Sequence, residues 1–310
     1  MTKLPRPGYG ERVRLHAATA RRSVHRHGLR PLRAVGRLNP AMVFVVGCPR
    51  SGTTFTAEAI GSVPGFRDLG EVNRLKAAIP ALYDAGRSGS RADVIHELRR
   101  LLRHSQRIAC AARERAIEQT PEATFLIPEL AEAFPRAQFV HLIRDGRDVV
   151  ASLLERGWLA DGPSATFDDA GLPVGCHARF WVEPERAEEF ESCGEVRRCA
   201  WAWRRYESCA ASHLAQLDES RVVHLRYEEL AADPAAAATR VAGVLDAGST
   251  AAFVRGFGSM HTASVGRFRS ALTGDQLTVV EAEAGALLRE LGHAGAPDAP
   301  SYPASDEGRT

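Results

Sequence analysis

"MVFVVGCPRSGTTFTAEAIG", Met42 to Gly61, opens as an apolar, β-branched run, breaks at Gly47 and resumes as an apolar-periodic helix after Gly52. Such a run reads as the buried strand of a parallel sheet. The glycine-bearing turn behind it brings successive backbone N–H groups to a helix N-terminus, a concave anion site. The spacing from Gly47 to Gly52 is the GxxxxG of a P-loop, after which Lys and then Ser or Thr should follow. Thr53 and Thr54 stand there instead, and the cation, Arg50, sits inside the loop. The lysine that reaches the β- and γ-phosphates of a nucleoside triphosphate is missing, so the turn alone predicts a site for phosphate or sulfate.

Outward from this turn, short β-branched runs alternate with helical patterns. Strands are predicted at Val43–Val46, Ala116–Gln119, Phe139–Ile143 and Val222–Leu225. All but the second are followed within a few residues by a helix start, as at Asp233-Pro234, where the aspartate caps orphan amides and the proline suits the first helical position. The pattern predicts an α/β chain with a P-loop-like three-layer fold, a central parallel sheet flanked by helices. Ligands of such sheets bind at the carboxyl ends of the strands.

A chain of 310 residues, 45% hydrophobic and 25% charged, can bury one large core. A formal charge of +2 is too balanced to point to nucleic acid as a partner of the whole chain. Charge is concentrated at the start, where residues 1–40 hold ten Lys and Arg against Glu11 alone, a basic N-terminal arm. Residues 294–310, rich in Pro, Ala, Ser and Asp, read as a flexible tail. The six cysteines form no CxxC pair and no zinc spacing, so they are expected as free thiols in a reducing compartment. No apolar stretch of about 18 residues or signal-peptide core is found, and the expectation is a cytoplasmic protein without a transmembrane segment.

PRSGTT directly after an apolar strand resembles the 5′-phosphosulfate loop of the sulfotransferase family, which uses 3′-phosphoadenosine 5′-phosphosulfate (PAPS). In that family a Lys or Arg within the loop replaces the Walker lysine. The resemblance implies donor binding by Pro49, Arg50, Ser51, Gly52, Thr53 and Thr54. "FVHLIRDGRDVVASLLERG", Phe139 to Gly157, resembles the family's 3′-phosphate site and maps its arginine and serine onto Arg144 and Ser152. The spacing independently lets a guanidinium at a strand end and a hydroxyl in the next helix converge on one anion. Mutual pairing of Arg144, Asp145, Arg147 and Asp148 is the bland alternative. "HLRYEELAADP" resembles the tyrosine-bearing turn near the adenine, giving Tyr227, and "SVGRFRSALT" the cofactor-closing segment, giving Arg267. The resemblance spans about Met42 to Gly292. It implies a sulfotransferase domain over 41–293, with adenosine 3′,5′-bisphosphate (PAP) as product and no metal.

On the acceptor side, "DLGEVNRLKAAIPAL" is similar to the tyrosylprotein sulfotransferase-like bacterial branch, which implies Glu71 as general base beside Arg50 as the catalytic cation. His104, His141, His177 and His213 are the other candidate bases. Much of that branch has a lysine before Thr-Pro, where this chain has Gln119. Residues 158–206, rich in aromatic and acidic side chains, are expected as an acceptor-side insertion. The acceptor implied is a hydroxyl of a small molecule, a carbohydrate or a peptide tyrosine, and oligomeric state is not legible. Two other functions stay open at this point, a P-loop kinase or NTPase and a non-catalytic anion-binding protein.

Overall fold

The computed structural model describes Ala17 and residues 38–111, 113–160, 179–260 and 263–293. Nearly all of the basic arm, the tail, His177 and the middle of the expected insertion lie outside these residues. In chain order, β1 (Val43–Gly47) feeds α1 (Thr53–Gly61), and β2 (Phe66–Asp68) precedes α2 (Asn73–Arg87) and α3 (Arg91–Ala109). β3 (Arg115–Glu118) runs into a 3-10 turn, Pro121–Leu126, and α4 (Ile127–Ala133), and β4 (Gln138–Ile143) into α5 (Gly146–Arg156). α6 (Ala187–Ser192) and α7 (Glu195–Leu214) precede β5 (Val222–Arg226), α8 (Tyr227–Ala232) and α9 (Pro234–Val244). α10 (Thr250–Phe257), α11 (Phe268–Ala271) and α12 (Gly274–Glu290) follow.

The five strands form one parallel sheet in the order β2-β3-β1-β4-β5. β1 lies at its centre and every residue of it is buried, as an apolar run covered on both faces requires. Strand alternation divides the core. Val43, Val45, Val140 and Leu142 pack with Ile60, Val241 and Phe253 of α1, α9 and α10. Phe44, Val46 and Phe139 pack on the other face with Leu75, Leu98 and Leu130 of α2, α3 and α4. This is the three-layer, P-loop-like α/β fold. The predicted Asp233 cap is in place, its carboxylate accepting from Ala236 N at 2.9 Å.

A third apolar cluster joins α5, α7 and α12. It holds most aromatics of the expected acceptor-side insertion, with Trp181, Trp201, Trp203 and Tyr206 fully buried. Three of the acids there are matched by arginines: Glu189 pairs with Arg186 and Arg197, Glu191 with Arg179, and Glu183 with Arg204 and Arg205. Among the described residues no helix is long and apolar enough to cross a membrane.

Candidate active site

The turn between β1 and α1 is shaped by three backbone exceptions. Gly47 has φ +144°, and a Cβ on it would stand 2.5 Å from Leu142 O, so the strand end can touch β4 only as glycine. Gly52 has φ +98°, and a Cβ there would meet the Tyr227 ring at 2.8 Å. Arg50 lies between them at φ 74°, a left-handed conformation that costs a non-glycine residue about 1 kcal/mol or more. That cost is offset by the contacts the conformation makes. Arg50 Nε donates to Ser152 Oγ at 3.0 Å, Arg50 O accepts from Arg144 Nη1 at 2.9 Å, and the guanidinium lies 5.9 Å from the Trp158 ring centre.

Beyond the turn, α1 starts at Thr53 with no side-chain cap and no acid in its first turn, leaving its N-terminus to an outside acceptor. Ser51 is fully buried and its Oγ has no hydrogen-bond partner. The loop thus presents amides and a cation together. It fits an oxyanion.

Arg144, at the end of β4, is 5% exposed and its fork bridges two segments, with Nη1 on Arg50 O and Nη2 on Ser264 O at 2.6 Å. Its Nε is buried without a partner, and its guanidinium stacks 4.3 Å from the Tyr227 ring centre. Tyr227 in turn shares a hydrogen bond of 2.6 Å between its hydroxyl and Ser264 Oγ. Asp148, 3.9 Å from Arg144, spends its oxygens on the amides of Gly266 and Phe268. Ser152 faces Arg50 rather than standing free beside Arg144. The mutual pairing considered from the sequence is present, Arg147 with Asp145 at 2.7 Å and more loosely Arg144 with Asp148 at 3.9 Å, yet Arg144 also lines the cleft.

Arg50, Gly52, Thr53, Thr54, Arg144, Ser152, Tyr227 and Arg267 line one cleft of 230 Å³, with Met260 and Ser264. Pro49, Ser51 and Glu71 are not among its lining residues. The Arg50 guanidinium is held below its ordinary pKa by burial first, then by Arg156 and Arg144, with Glu155 opposing and Arg267 adding to the effect. Arg267 is ion-paired with Glu155. Cations gathered in excess of their counter-charges are what an anion site requires.

α7 braces both loops. Trp203 Nε1 donates to Arg144 O at 3.1 Å, and Glu207 Oε1 accepts from Cys48 N at 3.3 Å.

Glu71 stands in the turn after β2, a quarter exposed, with Oε2 2.8 Å from Lys76 Nζ on α2. This turn is tied to the end of β3, where Glu118 accepts from Val72 N and Thr120 N. Gln119 follows and accepts from Thr54 Oγ1 at 3.4 Å, so the expected base and the donor loop meet at neighbouring residues of one strand end. Lys76, Glu118 and Glu122 carry no signal in the sequence that singles them out. Burial pushes the Glu118 carboxyl up to about 7 and that of Glu122 to about 8, the latter against the pull of Lys76. Glu122 Oε2 has no partner. A helix-period pattern cannot reveal such residues, because their burial comes from α2 closing over the strand ends. Of the histidines, His141 is turned to Glu207 and His213 to Cys209. Among the described residues no group of His, Cys, Asp or Glu is arranged to hold a metal ion.

Residues 40–248 match the model of the Sulfotransferase family. No curated protein matches the chain. Among solved structures it is similar to the sulfotransferase domain from the curacin biosynthetic pathway, at 14% identity and TM-score 0.50, over 83% of this chain and 99% of that one. The sulfotransferase domain from the Synechococcus PCC 7002 olefin synthase stands at 15% identity and TM-score 0.49, over 86% and 98%. At these identities the likeness is one of fold. The family match covers more than half of the chain, including both loops of the cleft, and the chain belongs to the sulfotransferase family.

Proposed function

We propose that the protein moves a sulfuryl group from PAPS to a hydroxyl of an acceptor, leaving PAP. The observation that carries this is the cleft itself, where a P-loop-shaped turn without its lysine meets Arg144, Ser152, Tyr227 and Arg267. The turn fits the bridged phosphate–sulfate end of the donor. Arg144, with an orphaned Nε, fits a second phosphate, the one ATP lacks. Tyr227 stacks beside it as a surface for the nucleoside.

Sulfuryl transfer breaks the bond from sulfur to the bridging phosphate oxygen and forms one to the acceptor oxygen, and positioning with charge dispersal supplies most of the rate. Arg50 and the first amides of α1 stabilise the charge that collects on the leaving phosphate. Glu71 takes the acceptor proton, and Lys76 holds its carboxylate in place. Glu71 and its setting support a place near the tyrosylprotein-like branch. Gln119 contributes a hydrogen bond to Thr54 but no charge, so the burden of charge falls on Arg50. The reaction written this way needs no metal.

The test is thermal stabilisation by PAP compared with ATP or GTP plus magnesium. A ligand at 100 times its dissociation constant adds about 2.7 kcal/mol, and PAP should do so where the triphosphates do not. Stabilisation by magnesium–ATP and none by PAP would return the kinase reading to first place.

A further inference from the structure

Glu207 and His141 are buried ionisable groups away from the cleft, 1% and 2% exposed, and the chemistry above does not use them. Both oxygens of Glu207 are engaged. Oε1 accepts from the amide of Cys48, the first residue of the donor loop after β1, and Oε2 lies 3.1 Å from His141 Nε2. The other nitrogen of His141, Nδ1, lies 3.1 Å from Nδ1 of His224 on the exposed edge strand β5. A chain of three contacts therefore runs from the protein edge to the root of the anion loop.

Its proton count follows from the atoms. With Glu207 as a carboxylate it accepts from His141, and His141 then carries a proton on Nε2. Only one proton fits between the two Nδ1 atoms. With the pair neutral, His224 donates to His141 across that gap. One further proton can be placed on either ring with every link kept, giving an imidazolium that faces Glu207 directly or through its neighbour. A second would set two N–H groups head-on. Burial, then His141, then Arg240 hold His224 below the ordinary histidine range. The remaining charged neighbours are Arg240, which donates to His224 O, and His293, which feels Glu207, Asp145 and Arg147 and is bonded to Arg226.

In the neutral state a lone carboxylate stands behind a loop that must receive an anion. In the singly protonated state that charge is matched, and the brace on Cys48 becomes an ion pair of the kind that is strongest when buried and fully hydrogen-bonded. We propose that Glu207 and His141 are positioning residues of the donor loop, tuned by one proton shared with His224, so that the loop holds its anion more tightly in the protonated state. This rests on the donor assignment proposed above.

The experiment is calorimetric titration of PAP into wild type, Glu207→Gln and His224→Phe between pH 5 and 8, a window that extends below the ordinary histidine range because His224 is held under it. The phosphates of PAP titrate near pH 6 themselves, so the readout is the ratio of variant to wild-type Kd, in which the ligand's own protonation cancels. Glu207→Gln keeps the shape and an acceptor for Cys48 but removes the counter-charge. His224→Phe removes the proton's second seat, and thermal unfolding of the variant checks that it folds. For both variants the ratio should rise by about fivefold or more from pH 8 to pH 5, the lower end of ordinary coupling between linked sites. A ratio that is constant with pH, as a purely structural role would give, or one that favours wild type at alkaline pH, overturns the inference alone. Absence of PAP binding to wild type at every pH overturns the donor assignment and this inference with it.

Discussion

Replacing Glu122 by glutamine should stabilise the protein, and by an amount that depends on pH. Burial raises this carboxyl from the ordinary 4.5 to about 8, so at neutral pH it is protonated when folded and ionised when unfolded. Folding then takes up a proton, and stability falls as pH rises wherever the native state binds more protons than the unfolded one. The penalty is absent below about 4.5, grows through the interval up to about 8, and is complete above it. Displacement of a pKa by one unit is worth about 1.4 kcal/mol, which sets an upper limit of about 5 kcal/mol here; relaxation around a buried group leaves about 2–5 kcal/mol. The amide of the Glu122→Gln variant cannot ionise and escapes the penalty. Thermal unfolding of the two proteins at five pH values from 5 to 9 measures it, with a lead for the variant of about 5 °C or more at pH 8–9 that closes towards pH 5. Glu118, pushed up to about 7, imposes its own slope on both proteins, and its charge adds to the rise at Glu122. A difference that is flat with pH, or that favours wild type at alkaline pH, would refute the placement of Glu122 as a neutral buried acid.

Gly52→Ala puts a Cβ into the Tyr227 ring at a φ that side chains rarely adopt, and should cost about 1–3 kcal/mol in denaturant unfolding while abolishing most PAP affinity; full PAP binding would show that the turn is not the anion cradle. Arg144→Ala should weaken PAP about ten- to hundredfold and adenosine 5′-phosphate much less, because the second phosphate loses a charge-assisted partner; equal losses in calorimetry would sink the 3′-phosphate assignment. Glu71→Gln should reduce turnover about 10²- to 10⁴-fold with PAP binding almost unchanged, and a variant that keeps most of its turnover moves the base to another residue.

The centre of the sheet is plain in the sequence because β1 and β4 are largely apolar runs whose burial is local. β2 is not. It is only three residues long, Phe66–Asp68, and two of them are charged. Arg67 is buried in a paired contact with Glu114, which no pattern of hydrophobicity reports. The lining of the cleft is legible where glycines and cations stand together in one turn, as at Arg50 and Gly52, whereas Met260 and Ser264, which share the cleft, carry no such signal. Around Glu71 the sequence singles out that residue alone. Lys76, Glu118 and Glu122 come together through the closure of α2 over strand ends far apart in the chain. Trp201 and Trp203 stand one turn and more inside a helix and are anchored as ordinary core, as helical spacing implies.

Trp203 and Glu207 occupy successive turns of α7, one bonded to the backbone of Arg144 and the other to that of Cys48. Four helical residues rise about 6 Å, so α7 acts as a ruler whose graduations set the separation of the two anion loops. The width of the cleft is thereby measured by an element that does not line it. Inserting one residue between Trp203 and Glu207 would leave both loops intact in sequence yet turn one brace about 100° from the other, altering which spacing of charges the protein can grip.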